Sequence, residues 1–354
     1  MRDNAVVAQR FDSRSYVLSG EPRTVVDEVR YLPAVDLALF SVTGNGILVA
    51  QTGTGPTKSQ LTWFDRAGKT VGTVGSPGIF SNPALSPDEK RVVVDQYAQD
   101  GRIRDLWIYE LANGAAVRFT FGPAYNDAGI WSPDGKRIVF SSNRKLYNGL
   151  YQKNADGTGP EELIADLGGV DQNAWDWSLD GKYLLARVRR SEAPLRSDVW
   201  YMSLPDRQTK PYLQAAWTMR NARFSPDGKW VAYASNETGN WEVYVSRFPS
   251  PNSKWQVSRG GGEQPRWRRD GKELFYLSGE GKMMAVTVKT GNNLEAGTPV
   301  TLFQTRVSQP IATQDVFSYD VTANGQRFLV NTKVDEPNTA PLAIILNWVS
   351  EMEK

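Results

Sequence analysis

The 354-residue sequence contains neither cysteine nor histidine. Without thiols there is no disulfide, thiolate metal site or cysteine nucleophile, although the lack of cysteine leaves the compartment open. Without imidazole there is no Ser-His-Asp or Cys-His catalysis, no histidine metal ligand and no histidine switch near neutral pH. An excess of one charge is missing too. Lys and Arg number 41 against 39 Asp and Glu, with no run of five or six like charges, so nothing resembles a nucleic-acid footprint. Long hydrophobic runs are absent: Leu342 to Leu346 is far too short to cross a bilayer, and the N-terminal stretch lacks the apolar core of a signal peptide. The sequence as given is therefore expected to be soluble and to carry no membrane segment.

What is present favours β-structure. The 31 Gly and 20 Pro suit many tight turns, and 13 Phe, 14 Tyr and 12 Trp suit strands sealed by large flat side chains. One short phrase recurs: Ser86-Pro87-Asp88-Glu89-Lys90, Ser132-Pro133-Asp134-Gly135-Lys136, Ser178-Leu179-Asp180-Gly181-Lys182, Ser225-Pro226-Asp227-Gly228-Lys229 and Arg269-Asp270-Gly271-Lys272. Weaker copies are Thr43-Gly44-Asn45-Gly46 and Thr322-Ala323-Asn324-Gly325-Gln326. The marker Asp or Asn falls at positions 45, 88, 134, 180, 227, 270 and 324, a spacing that matches one four-stranded propeller blade.

An apolar or aromatic residue precedes each strong copy (Leu85, Trp131, Trp177, Phe224) and a β-rich run follows it, as in Arg137-Ile138-Val139-Phe140. Asp-Gly between two such runs is a hairpin signal, since Gly accepts positive φ and the carboxylate accepts backbone N–H groups. The phrase should join the first strand of a blade to the second. Later alternating runs such as Val199-Trp200-Tyr201-Met202 supply the third strand, and short ones such as Glu161-Glu162-Leu163-Ile164 the fourth.

The expected fold is an all-β propeller of four-stranded antiparallel blades, one domain over residues 1–354. Six full blades fit residues 37–306, and residues 4–29 and 315–348 together complete a seventh, with six or eight as the other possible counts. Closure of this kind leaves no strand edge exposed.

Trp131 to Lys136 followed by Ser141-Ser142-Asn143-Arg144 resembles the WD40-like repeat of TolB and related bacterial propellers. A closer likeness is to the propeller region at the C-terminal end of some acidobacterial serine/threonine protein kinases. It rests on Gln60 to Gly68, Phe224 to Gly228, Val243-Tyr244-Val245 with Arg247-Phe248-Pro249, and Pro265 to Tyr276. That resemblance implies a periplasmic or other extracytoplasmic sensory module. It implies no kinase activity, because no Gly-rich phosphate loop or His-Arg-Asp loop is present. The sequence departs from the repeat at Leu179 and Arg269, where Pro is usual, and at Glu89, where Gly is usual.

Asp88, Asp134, Asp180, Asp227 and Asp270 occur once per repeat at a turn, which marks them as turn-stabilising, not as metal ligands or glycosidase acids. Trp131, Trp177 and Trp267 hold equivalent places before the turn and should pack between blades. Specificity in a propeller resides where equivalent positions differ. The polar groups ahead of each first strand are such positions and are expected to line one mouth of the central channel: Tyr125, Asn126 and Asp127; Asp171, Gln172 and Asn173; Arg220, Asn221 and Arg223; Glu263, Gln264 and Arg266. Trp175 joins them because it breaks the repeat pattern. Arg187, Arg189, Arg190 and Arg196 form a basic cluster in an insertion, expected to be a solvated loop. Gly260-Gly261-Gly262 lacks the rest of a phosphate loop and reads as a connection.

These features favour a non-catalytic module, monomeric and without cofactor or metal, that binds a protein or small ligand at a channel mouth. The alternative is a carboxylate-based glycosidase or lyase using Asp127, Asp171 and Glu263, which would need two acids facing each other across a cleft. A serine hydrolase is excluded by the missing Gly-x-Ser-x-Gly elbow and the missing histidine.

Overall fold

The computed structural model describes residues 5–29, 31–32, 37–52, 58–98, 103–145, 148–168, 171–190, 196–307, 316–334 and 342–348, and no helix occurs among them. Two units separate. One comprises residues 59–97 and 103–333, the other residues 1–58, 98–102 and 334–354.

Six antiparallel sheets make up the larger unit. The first runs Phe80–Leu85, Arg91–Tyr97, Arg104–Glu110, Ala116–Arg118; the second Asn126–Trp131, Arg137–Ser142, Gly149–Asn154, Glu162–Ala165. The third runs Asp171–Trp177, Tyr183–Arg189, Ser197–Ser203, Thr209–Leu213; the fourth Met219–Phe224, Trp230–Ser235, Glu242–Arg247, Lys254–Gln256. In the fifth, Glu263–Trp267 and Glu273–Leu277 lead to Lys282–Thr290, on which both Leu294–Ala296 and Val300–Gln304 pair. The sixth takes Tyr319–Val321 and Arg327–Lys333 from late in the chain and Ser59–Asp65 and Thr70–Gly78 from early in it.

Why the second strands read as continuous apolar runs follows from the packing. Val92 and Val94 belong to a core shared with Leu61 and Trp63 of the sixth sheet, while Val93 between them faces Ile138 and Phe140 of the second. Val139 in turn faces Ala174 and Leu184 of the third sheet. With successive side chains on opposite faces and a neighbouring sheet on each face, both halves of the alternation must be apolar. Six such cores lie between consecutive sheets, including one between the sixth and the first. A fully buried Val or Leu in one of them contributes about 1.5–3 kcal/mol of transfer free energy.

Four of the six first strands share one irregularity. Asn82, Ala128, Asn221 and Gln264, each three residues before the pre-turn residue, have φ between 51° and 58°. Register shifts fall there in all four strands, so each is bulged at the same point.

Closure differs from the sequence-based expectation in two ways. The described residues of the larger unit form six sheets against the seven blades expected, and Arg327–Lys333 pairs with Ser59–Asp65, not with residues 4–29. Two-sided burial explains the choice. Ser59–Asp65 offers buried Leu61 and Trp63 to one neighbouring core and Phe64 to the other. Val6–Asp12 and Val17–Val26 pair with each other instead, and Phe11, Val17 and Leu18 stay exposed. Where the sequence leads to an expectation of one domain over residues 1–354, the contacts group the chain into two compact units. The Thr43-Gly44-Asn45-Gly46 turn lies in the smaller unit, joining Phe40–Val42 to Ile47–Gln51, on which Leu342–Leu346 pairs. Residue 315 and residues 335–341 of the expected closing segment, and residues 191–195 of the basic insertion, lie outside the described residues.

Candidate functional site

Strand direction gives the larger unit a hairpin end, where first strands turn into second strands, and a loop end, where second strands lead to third and each sheet leads to the next. At the hairpin end one set of hydrogen bonds repeats. Ser132 Oγ donates to Asp134 Oδ1 (2.5 Å) and accepts the Arg137 N–H (2.9 Å), while Asp134 Oδ1 accepts the Lys136 N–H (3.1 Å). The same bonds link Ser86, Asp88, Lys90 and Arg91; Ser178, Asp180, Lys182 and Tyr183; and Ser225, Asp227, Lys229 and Trp230. Thr322 and Asn324 form the equivalent turn in the sixth sheet, and in the fifth the Arg268 guanidinium grips Asp270 in place of a hydroxyl. Glu89 takes the left-handed conformation that glycine adopts elsewhere (φ 55°), and its carboxylate accepts the Ala323 N–H of the sixth sheet. Hydrogen bonds from Ser86 and Ser132 hold the Asp88 and Asp134 carboxyls below the usual carboxylate range; the Arg268 guanidinium does the same for Asp270.

The pre-turn tryptophans bridge sheets. Trp131 Nε1 donates to the Ala84 carbonyl of the first sheet (2.9 Å), and Trp267 Nε1 to the Arg223 carbonyl of the fourth (3.3 Å).

At the loop end the residues expected to line a mouth of the central channel lie mostly inside the wall. Tyr125 is exposed and Asp171 and Arg220 are half-buried, while Asn126, Asp127, Gln172, Asn173, Trp175, Asn221, Arg223, Glu263, Gln264 and Arg266 are buried. Their partners come from neighbouring strands. Asn126 donates to Asp105 (3.0 Å) and accepts from Arg144 (2.9 Å); Gln172 accepts the Leu167 N–H (2.8 Å) and donates to Asp166 (3.0 Å). Arg104 pairs with Asp127, Asn173 donates to Asp127 (3.0 Å), and Arg187 holds both Asn173 and Asp171. Arg220 stacks on Trp241 at 3.7 Å and reaches Glu263 at 3.4 Å. Gln264 accepts the Ser318 N–H (2.6 Å). Trp175 belongs to the core between the third and fourth sheets.

Asp95, which the repeat pattern does not flag, is wholly buried under this network. It accepts from Ser81 (3.2 Å), Asn82 (2.7 Å) and the Ala128 N–H (3.0 Å). Burial, then the neighbouring Asp127 charge, pushes its carboxyl up to about 7.

Along the axis, the residue just before each pre-turn residue occupies one register position: Ala84, Ile130, Asp176, Arg223, Arg266 and Asp320. Four of these six are charged. Arg223 pairs with Asp176 at 3.2 Å and Arg266 with Asp320 at 3.4 Å. Both guanidiniums stack on Phe317, at 4.1 and 4.2 Å from its ring centre. Above them, at the hairpin end, opens a cavity of about 180 Å³ walled by Leu85, Trp177, Phe224 and Trp267 and floored by the four charges. Sequence reasoning placed Arg223 and Arg266 at the opposite mouth and missed Asp176, Asp320 and Phe317. The signal available was the shared offset from the turn, masked because residue type changes from sheet to sheet.

This succession of four-stranded antiparallel sheets is a TolB-like β-propeller fold. The putative TolB from Agrobacterium tumefaciens superposes with a TM-score of 0.61 at 18% identity, over 80% of this chain and 100% of that one. An oligogalacturonate lyase in complex with manganese superposes with a TM-score of 0.51 at 14% identity, over 84% of each. At these identities the likeness is one of fold. In sequence, the Tol-Pal system protein TolB of Anaeromyxobacter dehalogenans is 33% identical over 93 residues, 25% of this chain and 20% of that protein. The uncharacterized peptidase YuxL of Bacillus subtilis is 25% identical over 196 residues, 45% of this chain and 30% of YuxL. The matched stretches thus span less than a third of these curated relatives' length. No protein-family model matches the chain.

Proposed function

We propose that the chain is a non-catalytic binding propeller, the sensor or scaffold part of a bacterial envelope signalling protein, which takes a protein partner on the loop end of its ring. The observation that carries this reading is the loop end itself. The Arg104, Asp127, Asn173, Arg187 and Asp171 network forms a fixed base, and the connections above it expose Phe121, Tyr125 and Trp217. Rigid support beneath exposed aromatic side chains is the composition of a protein-binding surface. The relatives named Tol-Pal system protein and the likeness to kinase-associated propellers support an extracytoplasmic setting.

The carboxylate-enzyme alternative lacks comparable support. Asp127, Asp171 and Glu263 are each paired with an arginine, and none of them lines the axial cavity. Crosslinking in envelope extracts tests the proposal. A Phe121→Ala, Tyr125→Ala, Trp217→Ala variant should lose the captured protein while Lys136→Ala at the hairpin end keeps it. Equal capture by both variants, or cleavage of a polyuronate by the purified chain, would reject it.

A further inference from the structure

We propose that the axial cavity at the hairpin end binds a small organic carboxylate, seated against Arg223 and Arg266 and covered by the aromatic wall. This site is independent of the loop-end surface. The two arginines are more than nine-tenths buried. Each lines the cavity, and the Nε of each is buried without a hydrogen-bond acceptor among the described residues. A buried donor left unpaired is costly, and in native proteins such groups find a partner.

The neighbouring acids do not saturate them. Asp176 meets Arg223 through one oxygen at 3.2 Å and turns the other to the Phe224 N–H (2.7 Å). Asp320 meets Arg266 at 3.4 Å and gives its other oxygen to the Leu85 N–H (2.8 Å), while the first also accepts the Val321 N–H (2.9 Å). Both contacts are longer than the about 2.7–2.9 Å of a good charged hydrogen bond. The carboxylates are committed to backbone donors that fix the neighbouring sheets, and Arg266 also donates through Nη2 to the Pro83 (3.4 Å) and Tyr319 (3.1 Å) carbonyls, so the guanidiniums are held in place with the Nε of each to spare. Burial, and next the charge of Arg266, brings Arg223 down to about 10.

Shape narrows the ligand. A cavity of about 180 Å³ is close to the roughly 150 Å³ apolar cavity that accepts benzene. Trp177, Phe224 and Trp267 offer flat apolar walls. One carboxylate on a compact planar body satisfies both the donors and the walls.

Calorimetric titration of the whole chain with benzoate, its neutral isostere benzamide and inorganic phosphate tests this. Benzoate should bind, and benzamide at least about tenfold more weakly, as expected for loss of a charged hydrogen bond. Arg223→Gln and Arg266→Gln should each weaken benzoate by a similar factor. Because either change could disturb folding, Leu179→Trp at the half-open rim serves as a second variant: it leaves both arginines in place and should abolish binding by filling the mouth. Equal affinity for benzoate and benzamide, binding of phosphate without benzoate, no binding of any of the three, or undiminished binding by Leu179→Trp would overturn the assignment.

Discussion

At the hairpin end of the larger unit the same three hydrogen bonds recur from turn to turn, whereas at the loop end the polar groups that open the first strands differ from sheet to sheet. The hairpin is a local solution: Ser and Asp two residues apart satisfy the turn without help from a neighbour, so one phrase serves repeatedly. Loop-end groups are satisfied across sheets, and each depends on what the adjacent strand offers. Asn126 needs Asp105 and Arg144, while Gln172 needs Asp166 and the Leu167 N–H. Uniformity therefore marks scaffold, and divergence at fixed positions marks where a propeller can acquire a ligand.

The largest effect should come from breaking a sheet-to-sheet contact at the hairpin end. Trp131→Ala removes a buried indole and its bond to the Ala84 carbonyl, and should cost about 3–5 kcal/mol in urea unfolding. A loss under 1 kcal/mol would show that the tryptophan does not join the sheets.

Acid titration separates Asp95 from the turn acids by sign. Asp95 in the loop-end network has its folded value raised to about 7 from 3.8. Its stabilising contribution is full below pH 3.8 and is lost as pH rises through 7, an effect of roughly 2–4 kcal/mol. The turn acids Asp88, Asp134 and Asp270 are lowered. Their contribution is present above pH 3.8 and lost as pH falls through their folded values. Asp95→Asn should flatten the decline between pH 4 and 7 while leaving the acid limb unchanged, as read from melting temperature against pH. An unaltered decline would remove Asp95 from the account.

A smaller loss, about 1–3 kcal/mol, is expected for Ser132→Ala, which leaves the half-buried Arg137 N–H without its acceptor and removes one of the two donors to Asp134 Oδ1. Tyr125→Ala at the exposed loop end should change stability by no more than about 0.5 kcal/mol. A comparable cost for both would erase the distinction between scaffold and surface.

These contrasts also explain what could be read in advance. The β-rich runs and Asp-Gly turns declare the propeller and the position of each hairpin, because that information is local. Closure is not local: Ser59–Gly78 carries no turn phrase of its own, and Thr62 finds Val330 only in the folded chain. The loop-end polar residues read as a channel mouth in sequence, since their burial arises from partners that no spacing reveals. Asp176 and Asp320 lie at the same offset from their turns as Arg223 and Arg266, yet the change of residue type hides the equivalence. Only the register brings the four together.

The architecture depends on residues 59–65 pairing with residues 327–333. The Thr62 and Thr332 hydroxyls lie 2.8 Å apart in that pairing, and the chain has no cysteine to interfere. In a Thr62→Cys, Thr332→Cys variant, mild oxidation of the folded protein should form an intramolecular disulfide in nearly every molecule. Two free thiols persisting in a folded protein, or a bond formed only between molecules, would contradict the closure described above.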